Sequence, residues 1–454
     1  MRAIPIDPTI ESGADGRALR SPMKIVYITA GAAGMYCGSC MRDNTLAAAL
    51  KAKGRDVLLA PAYTPIRTDE PDVSERRVLY GGINVYLQQA SAVFRHTPWI
   101  VDRLFDSRKL LGGLSRWAGS TPPEDLGKLT VSMLEGRRGA QHKELRKLIR
   151  WLERIRPDLV NLPNAMFVGL AGPIKESLGI PVLCTLTGED IFLDKLPDPF
   201  RTRAVELIRA RGRDVDGFVA VSAYYASYSR EHFGIDPDRM HVIPLGVHVE
   251  YDLGIAPPPQ ERFTIGYLAR ICPEKGLYAL CEAFGILRSV GRSCRLIAAG
   301  YLGGTDEAYL AETTQRMADR GIEFDYIGEL DRAGKLAFLR SLDVLSVPTT
   351  YPEPKGLYVL EALACGVPVV QPGHGAFPEL IEATGGGLLC EPHDSQALAD
   401  GIARLMDDAD LRKQLGRQGQ AAVRESFTDD VMADRTWSLY ERICADREPA
   451  RAGG

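Results

Sequence analysis

The sequence predicts an α/β protein with two successive doubly wound parallel sheets. Short apolar runs without polar alternation recur along the chain, as expected for strands that are buried on both faces of a parallel sheet. Segments with helical spacing of apolar residues separate these runs. A proline-rich interruption divides the series into two halves. A chain of 454 residues has room for both sheets, because a domain commonly contains about 100–200 residues.

The first half contains six predicted strands, and helix-length segments separate most of them. These strands are residues 24–29, 56–62, 158–163, 181–186, 217–222 and 240–246. The pattern restarts with six more predicted strands: 263–269, 294–300, 324–329, 343–349, 368–373 and 386–391. Four helices are predicted between them, over 277–289, 331–340, 356–365 and 394–406. Ligands of such sheets bind beyond the carboxyl ends of the strands, so two sheets imply a cleft between two domains.

The domain boundaries follow from where the alternation stops. Residues 1–22 are predicted to be a disordered tail, and residues 23–247 the first domain. Within that domain, residues 88–140 form an irregular insertion, which is either a substrate lid or a peripheral cap. The three prolines of segment 248–262 suit a linker, and the second domain begins at residue 263 and extends to residue 426.

The composition excludes several classes of protein. With 55 basic and 59 acidic residues the net charge is −4, and 45% of the residues are hydrophobic. These proportions argue against a disordered chain and a dedicated nucleic-acid binder. No apolar stretch approaches the ~18–20 residues of a membrane span, and the first 22 residues lack the apolar core of a secretory signal. The nine cysteines fit reduced, buried thiols, so we expect a cytoplasmic protein.

A glycine-rich turn, AGAAGMYCGSC, follows the first strand. Gly31 and Gly34 could bring backbone amides close to an anion at a helix N-terminus, or could simply form a tight strand-to-helix connection. Cys37 and Cys40 in the same turn have the CxxC spacing that can lower a thiol pKa and support redox chemistry. A contact of Cys37 with the acceptor or the donor sugar is a second functional possibility, and the alternative to both is packing of small residues in the loop. No second CxxC completes a zinc site, and the seven histidines form no metal-binding cluster.

Two further motifs lie after strands of the second half. Arg270 and Lys275 in GYLARICPEKG could hold a diphosphate without a metal ion, although a solvated surface loop explains the pair equally simply. Glu353 follows the strand 343–349, and Glu361 lies eight residues later in the next predicted helix. Such carboxylates accept hydrogen bonds from sugar hydroxyls. At the helix start, the amides of Gly356 and Leu357 are available to phosphate.

Together, the R-x4-K and E-x7-E motifs resemble the family-4 retaining glycosyltransferases of the GT-B fold, the glycosyltransferase group 1 family. The resemblance extends from residue 24 to about residue 445. It includes PLGV (244–247), AAGYLGG (298–304), YIGEL (326–330) and GAFPELI (375–381). It implies two Rossmann-like domains, an acceptor domain followed by a nucleotide-sugar domain, with a terminal helix over 427–445 that crosses back to the first domain.

The resemblance also implies a reaction. A sugar is transferred with retention from a nucleotide sugar, usually a UDP-sugar, to an unidentified acceptor, without a metal or cofactor and with UDP as product. Arg270 and Lys275 neutralise the leaving diphosphate, Glu353 holds hydroxyls of the donor sugar, and Glu361 holds the ribose. The remaining implied donor contacts are Gly356, Leu357, Leu330 near the base, and the Gly31–Gly34 loop over the phosphates. No general base is assigned.

Two positions depart from the family pattern. Thr187 stands where a histidine that touches the donor sugar is common, and Glu189 or Asp190 could replace part of its role. Asp190 could instead cap a helix. Lys355 replaces the usual aromatic residue, which indicates an anionic group on donor or acceptor, unless the side chain points to solvent. These departures keep open a non-catalytic nucleotide-sugar binding protein. A sugar-nucleotide epimerase of the same fold is the other alternative.

Residues 137–157 are predicted to form a basic amphipathic helix. Such a helix can contact an anionic membrane surface, but a helix that covers the sheet is expected at this place in the fold. Another loop residue, His374, either approaches the donor or is satisfied within its own loop.

Overall fold

The computed structural model describes residues 23–31, 37–75, 78–79, 122–249 and 262–446. The predicted tail, Gly34, most of the predicted insertion and all but the ends of the predicted linker lie outside the described residues. The chain divides into two compact units. Unit 1 comprises Met1–Pro244 and Met432–Gly454, and unit 2 comprises Leu245–Val431. Helices and strands are numbered below in the order of the described residues.

Unit 1 contains a six-stranded parallel sheet in the order β2-β1-β3-β4-β5-β6. Its strands are β1 (Lys24–Thr29), β2 (Asp56–Pro61), β3 (Leu159–Leu162), β4 (Val182–Leu186), β5 (Gly217–Ala220) and β6 (Met240–Val242). Its helices are α1 (Gly38–Ala52), α2 (Pro123–Leu134), α3 (His142–Ile155), α4 (Ala171–Leu178), α5 (Asp190–Asp194), α6 (Phe200–Arg211) and α7 (Ala223–Phe233). The final helix, α15 (Asp429–Ala445), belongs to unit 1 from Met432 onward.

Unit 2 contains a second six-stranded parallel sheet, in the order β12-β11-β10-β7-β8-β9. Its strands are β7 (Phe263–Leu268), β8 (Cys294–Ala299), β9 (Asp325–Tyr326), β10 (Val344–Leu345), β11 (Val369–Pro372) and β12 (Gly387–Cys390). Its helices are α8 (Leu277–Ser289), α9 (Glu307–Ala318), α10 (Arg332–Arg340), α11 (Leu357–Ala364), α12 (Phe377–Thr384), α13 (Ser395–Asp407) and α14 (Ala409–Ser426). The prediction of two doubly wound α/β sheets is confirmed.

Both faces of the unit 1 sheet are buried. Along β1, Val26 and Ile28 belong to one apolar cluster, whereas Ile25 and Tyr27 belong to a second cluster on the other face. The alternation follows from the two-residue period of a strand. Because each face is covered, the strand needs apolar residues at every position, which explains the continuous apolar runs in the sequence.

A polar network lies inside the second of these clusters. The Arg42 guanidinium donates to the Tyr27 hydroxyl and, at 3.3 Å, to Asp43, and all three side chains are buried. Burial raises the pKa of Asp43 from 3.8 to about 6. In the same cluster, the Tyr440 hydroxyl of α15 donates to Asn161 of β3 at 3.3 Å.

Several elements are shorter than the sequence predicts, including β5 and β6, and three of the differences are informative. The strand predicted over 343–349 is shortened to β10, Val344–Leu345. It ends early because the Val347 amide donates to the Gln371 side chain at 3.2 Å and not to a neighbouring strand. The strand predicted over 324–329 shortens to β9 at the sheet edge, where it has one neighbour. The basic helix predicted over 137–157 is α3, which begins only at His142.

Glycine geometry explains the late start of α3. Gly136 has φ +61°, and a Cβ atom at Gly139 would lie 1.9 Å from the Ser132 carbonyl oxygen, so this segment turns instead of continuing as helix. Leu145, Leu148 and Leu152 of α3 are buried in the core of unit 1. The apolar side of this basic helix therefore covers the sheet.

Candidate functional site

The unit 2 sheet changes direction between β7 and β10. Strands β8 and β9 follow β7 on one side of it in the sheet, and the next strand, β10, lies on the other side of β7. Leu345 of β10 pairs with Gly266 of β7, so the loops that leave the carboxyl ends of these strands start side by side. Doubly wound sheets bind their ligands at such a reversal. Arg270 and Lys275 lie in one of these loops, and Glu353 lies in the other.

Each of the two loops leads into a helix through a left-handed glycine. Gly276 has φ +73° and precedes α8, and Gly356 has φ +68° and precedes α11. A Cβ atom at position 276 would lie 1.8 Å from the Pro348 carbonyl oxygen, so the close approach of the loops requires glycine there. The first amides of a helix lack intrahelical acceptors and carry the positive end of its dipole. Both helix starts therefore favour an anion.

Lys275 and Glu353 form an ion pair between these loops. The Lys275 Nζ donates to Glu353 Oε2 and, at 2.8 Å, to the Tyr351 hydroxyl. That hydroxyl in turn donates to Glu353 Oε2 at 2.8 Å. The Lys275 ammonium also lies 5.3 Å and 5.4 Å from the ring centroids of Tyr351 and Tyr358, within the range of a cation–π contact.

Glu353 is ionised although its side chain is buried. Burial alone would raise the pKa of this carboxyl, but the charges of Lys275 and Lys355 and the hydrogen bonds from Lys275 and Tyr351 lower it to about 2. The Lys355 amide also donates to Glu353 Oε1 at 3.3 Å, and the Lys355 residue is half-buried. Lys355 is thus part of the electrostatic surroundings of Glu353.

The loop after β11 packs against the backbone of Glu353. The Ala376 amide donates to the Glu353 carbonyl oxygen at 2.7 Å. His374 precedes this contact, and its Nε2 lies 3.0 Å from the Thr349 carbonyl oxygen. Burial lowers the pKa of His374 below its ordinary value. His374 thus contacts Thr349 through Nε2, whereas its Nδ1 is buried without a hydrogen-bond partner among the described residues, so the side chain is only partly satisfied within its own loop.

Glu361 lies on α11 and has a partner that the motif analysis missed. Its Oε1 accepts from Lys335 Nζ of α10 at 2.5 Å, and the two side chains are only 16% and 11% exposed. A sequence signal was present: Lys335 lies three and four residues before the buried Phe338 and Leu339, on the same face of α10. A lysine on the apolar face of a helix needs a buried partner.

Two other predicted residues have separate positions in unit 2. Arg270 is exposed, and its carbonyl oxygen accepts from the Tyr267 hydroxyl at 3.1 Å. Leu330 is half-buried and immediately precedes Asp331, whose side chain caps α10 by accepting from the Gly334 amide at 2.8 Å. The structure thus places Lys275, Glu353 and Lys355 in one cluster. Leu330 lies in the segment between β9 and α10.

In unit 1, the segment after β4 is organised by Glu189. This carboxylate accepts from the amides of Thr187 at 3.0 Å and Gly188 at 3.1 Å, and from the Tyr225 hydroxyl at 2.7 Å. Both Thr187 and Glu189 are buried, and the Thr187 hydroxyl accepts from Ser39 at 3.0 Å. The Glu189 carboxylate therefore stabilises the conformation of the loop between β4 and α5.

Asp190 is the first residue of α5, and no side chain caps that helix. Its Oδ1 is buried and has no hydrogen-bond partner among the described residues. Burial raises the pKa of this carboxyl above its ordinary value. The alternative of an N-terminal cap formed by Asp190 is wrong.

The glycine-rich turn of unit 1 has a packing role at Gly31. This residue has φ +80°, and a Cβ atom there would lie 2.2 Å from the Thr64 carbonyl oxygen. At the far end of the turn, Cys37 precedes α1, and Cys40 is buried. A hydrogen bond with Cys37 and burial raise the pKa of the Cys40 thiol well above its ordinary value. The prediction of a lowered thiol pKa is therefore wrong for Cys40.

No helix in residues 23–31, 37–75, 78–79, 122–249 and 262–446 is both long enough and apolar enough to cross a membrane. The same part of the chain has no group of three or more His, Cys, Asp or Glu side chains that could hold a metal ion.

Comparison with known proteins identifies the family. The model for glycosyl transferases group 1 matches residues 253–422, and the model for glycosyltransferase family 4 matches residues 115–251. A phosphatidyl-myo-inositol mannosyltransferase of Mycobacterium leprae is 30% identical over 52% of this chain and 62% of its own length. A D-inositol 3-phosphate glycosyltransferase of Corynebacterium efficiens is 29% identical over 49% of this chain and 56% of its own length. The chain thus spans about half to three fifths of the first curated relatives it matches.

Solved structures extend the comparison of the fold. The crystal structure of Anabaena HepE in complex with UDP and glucose matches with a TM-score of 0.63 at 18% identity, and the match covers 92% of this chain and 100% of that chain. At this identity the likeness concerns the fold. Together, the two family models match most of the chain, from residue 115 to residue 422 with one residue between them. The chain belongs to the group 1 glycosyltransferases, family 4, and has their GT-B fold.

Proposed function

We propose that this protein is a retaining glycosyltransferase that uses a nucleoside-diphosphate sugar. The observation that carries the proposal is the Lys275–Glu353 ion pair. It lies beyond the carboxyl ends of the neighbouring strands β7 and β10, beside the starts of α8 and α11. A fixed cation and two sets of helix amides suit a diphosphate, and a buried, ionised carboxylate suits sugar hydroxyls.

In this proposal the cations act on the leaving group. Charge builds up on the diphosphate as the glycosidic bond breaks, so preorganised positive groups lower the barrier. Lys275 and Arg270 supply two charges on the β7 loop, and the amides of Gly356 and Leu357 supply dipoles from the β10 side. Because these groups neutralise the diphosphate, we propose that transfer needs no metal ion.

Glu353 and Glu361 orient the donor. The carboxylate of Glu353 stays ionised above about pH 2 and can accept hydrogen bonds from sugar hydroxyls at any physiological pH. Glu361 is held by Lys335 at 2.5 Å and would accept from the ribose hydroxyls, while Leu330 would contact the base through its backbone. Lys355 beside Glu353 favours a donor or acceptor that carries a negative group. We assign no general base, because retention can proceed with the leaving phosphate on the same face as the acceptor.

The identity of the donor and acceptor is part of the proposal. We propose UDP-sugars as the first candidates, as in the HepE complex with UDP and glucose. GDP-mannose is the alternative, because the name of a mannosyltransferase relative from Corynebacterium glutamicum specifies that donor. The names of the Mycobacterium leprae and Corynebacterium efficiens relatives suggest an inositol or an inositol phosphate as acceptor. An inositol phosphate would supply a negative group for Lys355.

The test measures both binding and turnover. The purified protein is mixed with UDP-glucose, UDP-N-acetylglucosamine, UDP-glucuronate or GDP-mannose, and with D-inositol 3-phosphate or phosphatidylinositol vesicles. A bound donor raises the melting temperature by mass action, and transfer releases UDP or GDP. We expect release with one donor, retention of the anomeric configuration in the product, and no loss of rate in EDTA.

Variants separate the alternatives. Glu353→Gln keeps the side chain's size and should abolish release, whereas Glu282→Gln on the surface of α8 should not. A protein that binds a nucleotide sugar but releases no nucleotide with any acceptor would be the non-catalytic binding protein. Conversion of the donor to its epimer would identify the epimerase. If no nucleotide sugar binds, the proposal is wrong.

A further inference from the structure

The Tyr351 hydroxyl lies between the two charges of the proposed donor site. It accepts from Lys275 Nζ at 2.8 Å and donates to Glu353 Oε2 at 2.8 Å, while Lys275 also bonds to the same oxygen directly. The three groups close a triangle of hydrogen bonds. A tyrosine hydroxyl can fill both roles because it is a donor and an acceptor.

Tyr351 also contacts Lys275 with its ring. The ammonium lies 5.3 Å from the Tyr351 centroid and 5.4 Å from that of Tyr358, so two aromatic rings flank it. The two tyrosines differ at their hydroxyls. The Tyr358 hydroxyl is 3.4 Å from Glu353 Oε2, a longer contact than that of Tyr351. Tyr351 is therefore the tyrosine that joins the two charged groups most closely.

The backbone around Tyr351 is itself fixed. The Thr349 hydroxyl donates to the Tyr351 carbonyl oxygen at 2.9 Å, and the Thr349 side chain is buried. The Thr350 amide donates to the Glu274 carbonyl oxygen at 2.9 Å, which ties this loop to the residue before Lys275. The Tyr351 hydroxyl is thus held at a set place relative to both loops.

A donor diphosphate changes the partners of Lys275. To bind a phosphate oxygen, the ammonium must give up some of its contact with the Glu353 carboxylate, and a buried carboxylate that loses its partner is costly. A hydroxyl that donates to Glu353 and accepts from Lys275 limits this cost. It also stops the flexible lysine chain from leaving the site.

We propose that Tyr351 is a positioning residue. Its hydroxyl keeps the side chains of Lys275 and Glu353 in place while the Lys275 ammonium moves part of its hydrogen bonding from the Glu353 carboxylate to the donor diphosphate. The inference rests on the proposed function. It concerns a residue outside the R-x4-K and E-x7-E motifs. The Tyr351 hydroxyl acts through Lys275 and Glu353 and touches neither bond that changes in the reaction.

The test compares Tyr351→Phe with a matched tyrosine. Tyr278 also donates its hydroxyl to a glutamate, Glu282, at 3.0 Å, but on the surface of α8. Calorimetric titration with UDP and with GDP measures affinity in wild type and in both variants. Tyr351→Phe is expected to weaken binding of the preferred nucleotide by about tenfold, the usual scale for a hydrogen bond to a charged group. Tyr278→Phe should leave the affinity unchanged.

A double-mutant cycle separates positioning from a general structural role. In a Lys275→Met/Glu353→Leu background both hydrogen-bond partners of the hydroxyl are gone, so adding Tyr351→Phe should weaken nucleotide binding no further. If Tyr351→Phe does not fold, Thr349→Val, which releases the Tyr351 carbonyl oxygen, replaces it in the same cycle. A tenfold loss that persists in the background would overturn the inference.

The outcomes also distinguish this inference from the proposed function. If the wild-type protein binds neither UDP nor GDP, the proposed function is wrong and the inference fails with it. If the wild-type protein binds a nucleotide and Tyr351→Phe binds it equally tightly, the inference alone is wrong.

Discussion

Replacing Lys275 with methionine should destabilise unit 2 through the carboxylate that it leaves behind. Glu353 is only 1% exposed, and Lys275 forms an ion pair with it. Methionine keeps much of the length and the apolar stem of lysine while removing the charge. Breaking a buried ion pair by removing one partner is costly because the other charge stays buried and uncompensated.

The pKa of Glu353 gives the magnitude. The folded protein holds this carboxyl at about 2 instead of its ordinary 4.5, a displacement that corresponds to about 3 kcal/mol of folding free energy. Because the pKa is lowered on folding, the contribution is fully present above pH 4.5 and is lost as the pH falls through about 2. Lys275 is the largest of the groups that lower this pKa. Because breaking a buried ion pair costs about 3–5 kcal/mol, Lys275→Met should lower the free energy of unfolding at pH 7 by about 3 kcal/mol.

Urea unfolding followed by circular dichroism at pH 7 measures this change. The matched control is Lys275→Met/Glu353→Gln, which removes the second charge and should recover most of the lost stability, since an uncharged pair of similar volume is often neutral. If the double variant is no more stable than Lys275→Met, the cost does not come from an unpaired carboxylate.

Three further predictions concern other parts of the fold. Because folding raises the pKa of Asp43 from 3.8 to about 6, stability should fall as the pH rises across this interval, and Asp43→Asn should remove that fall in a denaturation series. Gly276→Ala should lower the free energy of unfolding by more than about 2 kcal/mol. Gly54 has a similar φ, but a Cβ atom added there would meet no atom within 4 Å, so Gly54→Ala should lower it by only about 1–2 kcal/mol in the same assay. Thiol labelling of the native protein at pH 8 should spare Cys40 until the chain unfolds.

The fold was predictable because its signals are local. Continuous apolar strands and helical spacing require only neighbouring residues, and the helix predicted over 277–289 is found at Leu277–Ser289. The errors arise where a distant group intervenes. The end of β10 depends on the Gln371 side chain, which lies 24 residues away in the sequence from the Val347 amide that it accepts from. No pattern within 343–349 carries that information.

The candidate site was predictable only in part for the same reason. The spacing of Arg270, Lys275 and Glu353 is visible in the sequence, and the parallel order of β7 and β10 brings their loops together. The pairing of Lys275 with Glu353 crosses 78 residues, and that of Lys335 with Glu361 crosses 26 residues. Such pairs depend on how loops and helices that are distant in the sequence pack together, which motif spacing does not encode.

The return of the chain to unit 1 at Met432 has a consequence for biosynthesis. The buried side chains of Trp437 and Tyr440 complete one face of the first sheet, yet they are translated after all of Leu245–Val431. Domains generally fold as units while the ribosome is still working. Here the second unit leaves the ribosome whole before the first can close its core. Until Trp437 and Tyr440 have been translated, the nascent protein must therefore expose an apolar face of the first sheet.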